Sequence, residues 1–465
     1  MKMNPTHTPS KSKMLRHSYL CSSLSKYLVL LCLLIIQNSC ASYLLDETQD
    51  NIKDAVYEQQ YDTAIEDLEE SRNKEIYKDK DFILWSLEMG MLHHYKGAYE
   101  ASNSYFSDAE AAIEQAFTKS VIRGIYAFLG NDNQLQYDGE PYEEFYLHAF
   151  KALNYIHLSE IESSLVEIRR MIYKVEQLNI RLRGLANTYA GSDTLNSSVD
   201  WETTDTNIQN SPFARYFAAS VFAALDDVDA ARIEWVQFNR AINEHYHLIN
   251  NSTPSDTNSS PSDNNHNSEW DVDSNNNLLV LSFTGMAPEK IQQDLRIYND
   301  YWETELKVSL PVLNLYRSDI ANVQIWIGDS LMGNSILLES MQEVAQDVYT
   351  AKMPIIYGRA VLRAISKYTG TRWVEKVPED EDSVIAHLLE FAGFLYKEGS
   401  EKADLRSWSS LPGNVYAFTT DLDPGSYEIE IRYLNRNGLP IYSEYKNIQI
   451  KPTQPLYLLE TQLAY

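Results

Sequence analysis

The chain contains few cysteines, and these lie close to its first residue. Only three occur among 465 residues, at Cys21, Cys32 and Cys40. The 425 residues that follow Cys40 contain none. They therefore cannot form an internal disulfide framework or a Cys-x-x-Cys metal site.

Recognisable catalytic motifs are also missing. The sequence has no His-Glu-x-x-His, Gly-x-Ser-x-Gly, phosphate-binding Gly-rich loop or dinucleotide fingerprint. His93 and His94 are adjacent, so on a helix they would point about 100° apart and make poor joint metal ligands. Asp271–Asn275 begins like a calcium loop, but Asn276 and Ser282 stand where Gly and Glu are needed. We therefore expect no enzymatic activity, no metal and no cofactor.

Basic residues are scarce. The chain has 39 Lys and Arg against 66 Asp and Glu, which gives a formal net charge of −27. A field of this sign disfavours nucleic acid and anionic lipid surfaces. Solubility explains this acidity more simply than recognition of a basic partner does. We expect no nucleic-acid partner.

Long apolar runs are almost absent, and the clearest one is Tyr27–Ile36. Ten helical residues rise roughly 15 Å, about half of a bilayer core, so this run is too short to span a membrane. Basic residues and no acids accompany it, and small residues follow, which is the pattern of a secretory signal. We therefore predict a signal peptide over residues 1–39. The basic residues are Lys2, Lys11, Lys13, Arg16 and Lys26.

The predicted signal ends in Gln37-Asn38-Ser39-Cys40, which resembles the lipobox of bacterial lipoproteins. That pattern prefers Leu where Gln37 stands, and ordinary cleavage after Ala41 is the alternative. We predict lipidation of Cys40, since several acyl chains together give stable membrane anchoring. Ala41, rather than Asp, follows the cysteine. The resemblance therefore implies an outer-membrane lipoprotein that faces the periplasm.

Residues 40–249 are predicted to form a helical domain. Apolar residues recur at spacings of three and four from about residue 45 to 185, with few Gly or Pro. Gly90, Gly97, Tyr99, Phe106 and Ala109 stand at the spacing of a tetratricopeptide repeat, in which a small residue lets two helices approach. A generic helix bundle is the alternative. Weaker matches are Tyr61, Ala64 and Leu68; Ala152, Tyr155, Ile161 and Ile168; and Ala219, Phe222, Val228, Ala231, Trp235 and Phe238.

Two polar segments interrupt this pattern. Residues 187–211 are predicted to be a polar loop, and residues 250–277, rich in Asn, Ser and Asp, a disordered linker and domain boundary.

Residues 278–403 are predicted to form a mixed strand and helix domain. Leu278–Phe283 is a short apolar run and residues 323–327 alternate, as strands do. A helix is expected over Ile336–Tyr368 with a break at Pro354, and another over Asp382–Lys397.

The last segment, 404–465, is predicted to be a small antiparallel β-sandwich-like module. Tyr427, Ile429, Ile431 and Tyr433 alternate with polar residues. Turn signals lie at residues 423–426 and 437–438, and Ile448 and Ile450 mark a later strand. The fold class expected for the whole chain is therefore α+β.

The most distinctive charged feature is the basic stripe Arg359, Arg363 and Lys367. Residues four apart drift only about 40° per step on a helix, so the three share one face. In so acidic a chain, pairing with carboxylates of neighbouring helices is the plainer interpretation. The sharper one is an anion site for a phosphate, a lipid head group or an acidic partner.

Several stretches together resemble a family of uncharacterised, tetratricopeptide-like bacterial lipoproteins. The resemblance runs from about Tyr137 to the end and implies a fold and a location but no catalytic residue. It rests on Tyr137–Glu140, Tyr142, Phe145, His148, Leu153–Tyr155, Val166–Arg170, Ser211–Tyr216, Gly285–Lys290, Pro354 with the basic stripe, Asp404–Trp408 and Leu411–Pro412.

From these features we expect a lipid-anchored, periplasm-facing scaffold that binds an envelope protein through its helical repeats and serves cell-envelope or cell-wall assembly. The concave groove of such an array suits an extended or helical peptide. The alternative is a glycan-binding or anionic-lipid-binding envelope protein that uses its C-terminal half.

Overall fold

The structure is a computed structural model of the chain. It describes residues 44–123, 135–190, 201–252, 276–299, 304–316, 318–369 and 403–464. The predicted signal peptide, Cys40, residues 253–275 of the predicted linker and the predicted helix Asp382–Lys397 lie outside these residues.

The described chain is mixed α+β, with helices first and sheets towards the C-terminus. Consecutive helices form hairpins, notably α3 with α4, α5 with α6 and α8 with α9. A single 3-10 turn, Asp79–Asp81, precedes α3. The helices are α1 (residues 44–57), α2 (Tyr61–Asn73), α3 (Phe82–Tyr95), α4 (Tyr99–Arg123), α5 (Pro141–His157), α6 (Ile161–Glu176), α7 (Leu178–Ala190), α8 (Pro212–Ala224) and α9 (Val228–Ser252).

The α3–α4 hairpin packs closely because a small residue faces a bulky one. A Cβ atom at Gly90 would lie 2.6 Å from the Phe106 ring, so only glycine allows this approach. Gly97, in the turn, has φ of +80°, a conformation that glycine adopts readily. Tyr99 begins α4 and stacks on His157 of α5 at 4.2 Å between ring centroids. These contacts join two neighbouring hairpins.

The strands form two four-stranded sheets and a two-stranded ribbon. Sheet 1 has the order β10-β1-β7-β6, sheet 2 the order β5-β4-β8-β9, and β2 pairs with β3. Within sheet 1, β1 is parallel to β10 and antiparallel to β7. The strands, with one further helix, are β1 (Leu278–Met286), β2 (Glu289–Asn299), β3 (Thr304–Asn314), β4 (Asn322–Ile327), β5 (Ser330–Asn334), β6 (Ile336–Ser340), α10 (Met341–Thr369), β7 (Pro412–Thr420), β8 (Gly425–Leu434), β9 (Pro440–Ile450) and β10 (Tyr457–Leu463).

Sheet 1 is the middle layer between the helices and sheet 2. Successive strand residues point to opposite faces, and β1 shows this division. Leu281 and Phe283 belong to one core shared with the helices, whereas Leu278 and Val280 belong to a second core shared with sheet 2. The order of layers is therefore helix, sheet, sheet.

Two predictions about the 278–369 region are wrong in detail. Ile336–Ser340 is strand β6, paired with β7, rather than the start of a helix. Helix α10 begins at Met341 and continues through Pro354 without the predicted break. Proline removes one backbone hydrogen bond from the interior of a helix. Helix α10 nevertheless continues past Pro354, and it packs against β3 and β7.

Other boundaries also differ from the sequence-based division. Strands from 278–403 and from 404–465 pair with one another in both four-stranded sheets, since β1 pairs with β7 and β4 with β8. Within the predicted polar loop, residues 201–210 are irregular but partly buried, and the side chains of Trp201 and Ile208 belong to the buried part. Across the described ranges, no helix has the length and apolar character that crossing a bilayer requires.

Candidate functional site

Helices α3, α4 and α5 contact an irregular part of the chain, residues 403–411, here called the cradled segment. Trp408 is fully buried, with its ring centroid 5.7 Å from that of Phe106 and 6.1 Å from that of Phe150. The Tyr95 hydroxyl donates to the Ser410 carbonyl at 2.9 Å. Helices α3, α4 and α5 thus line the segment on their sheet-facing side.

Two buried carboxylates accept hydrogen bonds from the main chain of the cradled segment. Glu88 of α3 accepts from the Ser409 N–H at 2.7 Å, the Ser409 hydroxyl at 2.8 Å and the Ser410 N–H at 3.2 Å. The Ser410 hydroxyl also donates to it. Glu143 of α5 accepts from the Trp408 N–H at 2.8 Å. These two side chains therefore satisfy three backbone N–H groups of the cradled segment.

Glu143 is itself held in place by its surroundings. The Tyr137 hydroxyl donates to its two carboxylate oxygens at 2.8 and 2.7 Å, and the Glu140 N–H donates at 2.9 Å as part of the cap of α5. Burial, followed by the charge of Glu140, raises the pKa of Glu143 to about 7. This carboxyl group therefore changes charge close to neutral pH.

Glu140 behaves in the opposite way. Its carboxylate contacts the Lys290 ammonium at 2.5 Å and the Lys352 ammonium at 2.9 Å. Burial opposes its ionisation, but the two lysines outweigh burial and lower its pKa to about 2. Lys290 also donates to the Arg406 carbonyl at 3.0 Å, which connects this group to the cradled segment.

Arg406 anchors the start of the cradled segment. Its guanidinium donates to Asp404 at 2.8 and 2.7 Å, to Asp81 at 2.8 Å and to the Leu135 carbonyl at 3.1 Å. It also lies 5.2 Å from the centroid of the Tyr137 ring. Burial opposes the charge of Asp404, but Arg406 holds the pKa of that carboxyl well below its usual range. This buried ion pair fixes the segment between α3 and α5.

Two further carboxylates, the buried Glu339 and the largely buried Glu460, connect helices to sheet 1. Glu339 of β6 accepts from the Tyr146 hydroxyl at 2.5 Å and the Ser211 hydroxyl at 2.5 Å. Glu460 of β10 lies 2.9 Å from His94 Nε2 and 3.1 Å from His157 Nε2. Charged and polar contacts therefore recur along the helix-facing side of this sheet.

One group of side chains has the composition of a metal site but not its electrostatics. Glu110, His148 and Glu167 place their potential ligand atoms within 4.8 Å of one another. However, the Lys151 ammonium lies 2.7 Å from Glu110 and 3.3 Å from Glu167, and Arg170 also contacts both carboxylates at 3.2 Å. These cations already balance the negative charge, so this cluster is explained by ion pairing.

The residues singled out from the sequence are placed as follows. Cys40 lies outside the described residues. Arg359, Arg363 and Lys367 all lie on α10, where Arg359 is half-buried, and the side chains of the other two lie outside the description. Glu88 and Glu143 are not among the residues that the sequence patterns singled out. The quoted motifs Tyr137–Glu140, Gly285–Lys290 and Asp404–Trp408 did contain several of their neighbours.

The arrangement binds a peptide segment that belongs to the same chain. The oxygens of Glu88 and Glu143 are buried and already accept hydrogen bonds from this chain. The inner side of helices α3 and α5 is thus covered by the cradled segment and sheet 1. The covered inner side differs from the open concave groove that is expected of a helical-repeat array.

No protein-family model matches this chain, and comparisons with curated proteins and with solved structures also found no match.

Proposed function

We propose that this protein is a lipid-anchored scaffold of the bacterial envelope, built on tetratricopeptide-like hairpins, that binds an envelope protein through the outer side of its helical layer. The lipid on Cys40, the outer-membrane location and the absence of catalysis belong to this proposal. Three helical hairpins and the small-against-bulky contact of Gly90 and Phe106 support the repeat character.

The observation that carries the proposal is a set of exposed apolar side chains on the outer helices. Val166 and Tyr173 of α6 and Ile180 of α7 follow at intervals of seven residues and are 48%, 58% and 61% exposed. Ile233 and Val236 of α9 are each 61% exposed. We call these five residues the outer apolar surface.

Helix α8 packs against both α6 and α9, the two helices that carry most of this surface. Arg215 bridges them, with its guanidinium 3.0 Å from Glu176 at the end of α6 and 3.0 Å from Glu234 of α9. Tyr173 and Ile233 lie within one helical turn of this bridge. Exposed apolar residues grouped in this way favour a protein contact, whereas singly scattered ones are normal.

Crosslinking in intact envelopes tests this proposal. The chain should recover one dominant partner, and Tyr173→Asp combined with Ile233→Asp should abolish that crosslink, since both side chains are exposed and the fold needs neither. Tyr298→Asp is the matched control, because Tyr298 is 62% exposed and lies on β2, away from this surface. A partner retained by the double variant, or no reproducible partner, would contradict the proposal.

The lipid anchor has its own test. Cys40→Ser should release the chain from membranes, and the N-terminal peptide of the unaltered protein should carry acyl mass by mass spectrometry. A Cys40→Ser chain that still sediments with membranes, together with an unmodified native N-terminus, would refute the anchor while leaving the partner surface open to its separate test.

A further inference from the structure

The outward side of sheet 2 presents an ordered row of side chains across all four strands. Val323, Ile325 and Ile431 face the core, so their alternates on the same strands point away from it. Strand register places Trp326 opposite Leu331 on one side and Glu430 on the other. Glu430 in turn lies opposite Tyr445 of β9. The row therefore reads Leu331, Trp326, Glu430, Tyr445.

A second, polar row runs beside it. Gln324 pairs with Asn334 of β5 and with Arg432 of β8, and Arg432 pairs with Ser443 of β9. Amide, guanidinium and hydroxyl groups thus stand next to two aromatic rings. We call the two rows together the outer platform.

Contacts between its members hold the outer platform in one arrangement. Glu430 accepts from the Arg432 guanidinium at 2.6 and 2.7 Å, and that guanidinium lies 3.9 Å from the centroid of the Trp326 ring. The Trp326 ring N–H donates to Gln324 at 3.2 Å. The Tyr445 hydroxyl is hydrogen-bonded to Glu430. Side chains ordered before binding lose less conformational freedom when a ligand arrives.

The two aromatic rings are spaced for a ligand longer than one ring. Trp326 and Tyr445 lie on β4 and β9 with only β8 between them, so their backbones are roughly 10 Å apart. Tyr445 is 60% exposed and Leu331 is 44% exposed. A linear ligand that lies across the strands would meet an apolar or aromatic group at each end of the row.

We infer that the outer platform is a binding site for a linear, uncharged glycan. Sugar rings have apolar C–H faces that stack on aromatic rings, and hydroxyl edges that bond to amide, guanidinium and hydroxyl groups. The Glu430–Arg432 pair leaves the centre of the platform without net charge, which suits a neutral ligand. This goes beyond the proposed function, because it uses another surface and another class of ligand.

Other classes of ligand fit the outer platform less well. A net charge of −27 opposes nucleic acid and anionic lipid, although stacked rings alone would suit bases. The cores of protein interfaces are depleted of charged residues, whereas the Glu430–Arg432 ion pair lies in the middle of the outer platform. The neutral glycan is the ligand that both rows accommodate.

Calorimetric titration of the full chain with two probes, the N-acetylglucosamine hexamer and cellohexaose, tests this inference. Binding of at least one probe is expected. Tyr445→Ala and Trp326→Ala should each weaken it roughly tenfold, because each removes a stacking surface. Tyr445→Phe should bind nearly as well as the native chain, since it keeps the ring.

Tyr298→Ala is the matched control, because Tyr298 is equally exposed but belongs to the β2–β3 ribbon. It should bind as the native chain does. If Trp326→Ala fails to fold by circular dichroism, Tyr445→Ala alone decides. Failure of both probes to bind, binding that survives loss of Tyr445, or an equal loss in Tyr298→Ala would each overturn the inference.

Discussion

The two faces of sheet 1 are stabilised in different ways. Its helix-facing side meets Glu88, Glu143, Glu339 and Glu460, all largely buried and all hydrogen-bonded or ion-paired. The side that faces sheet 2 packs aliphatic and aromatic residues. Hydroxyl groups make polar contacts there, such as Tyr433 to the Thr461 hydroxyl at 2.7 Å and Tyr416 to the Ile320 carbonyl at 3.4 Å.

The two faces of sheet 1 therefore contribute differently: the apolar side adds stability, and the helix-facing side adds positional specificity. Apolar burial is non-directional and roughly proportional to area, so it holds sheets 1 and 2 together without depending on particular partners. A buried carboxylate is costly unless its own donors surround it, so the helix-facing contacts favour a single position for the cradled segment. The helix layer should therefore respond to pH and to loss of one charge, and the sandwich should not.

The largest effect is expected for Arg406→Met, which leaves the buried Asp81 and the partly exposed Asp404 without their partner. Breaking a buried ion pair on one side costs about 3–5 kcal/mol of unfolding free energy. Urea unfolding of the full chain measures this loss. Arg240→Met is the control, since Arg240 is 75% exposed and its pairing with Glu244 is worth about 1 kcal/mol or less. Equal losses in the two variants would remove the distinction between the buried and exposed pairs.

Glu143→Gln probes the pH dependence of the helix-facing side. The folded pKa of Glu143 is raised from 4.5 to about 7, which corresponds to about 3 kcal/mol. Because the folded state keeps this proton to higher pH than the unfolded state, the contribution is present below about pH 4.5 and is lost as pH rises through about 7.

The glutamine variant cannot lose that proton. Its unfolding free energy, compared with that of the native chain, should therefore improve by about 3 kcal/mol as pH rises through this window. Unfolding curves collected across the window measure the difference. A difference that stays constant with pH would show that Glu143 is already ionised throughout, and the contrast between the two faces of sheet 1 would lose its main support.

Local patterns predicted much of the fold. The alternation of Ile429, Ile431 and Tyr433 predicts β8, because strand periodicity depends only on near neighbours in sequence. Strand β6 was missed because a short apolar run fits either helix or strand. The sequence did contain a signal for the correct helix start, since Ser340 and Glu343 have the spacing of a capping box and the Glu343 N–H points to the Ser340 hydroxyl at 3.4 Å.

The buried site could not be predicted in the same way. Glu88 and Glu143 resemble ordinary helix-surface acids, because their partners are distant in sequence. The Ser409 donor to Glu88 is 321 residues away, and the Trp408 donor to Glu143 is 265 residues away. No periodicity reports a contact at that separation, so the motif of the cradled segment did not reveal Glu88 and Glu143 as its partners.

The smallest expected effect is in the second core. Ile431 is fully buried between the two sheets, and Ile431→Val removes one methylene group, which costs about 0.5–1.5 kcal/mol. Since no titrating group contributes to that loss, it should be the same at about pH 5 and about pH 8. Urea unfolding at both values, alongside Glu143→Gln, measures the two variants under identical conditions. A pH-dependent loss for Ile431→Val would mean that the charges on the helix-facing side also govern the sandwich, because sheet 1 would then transmit their state to its other face.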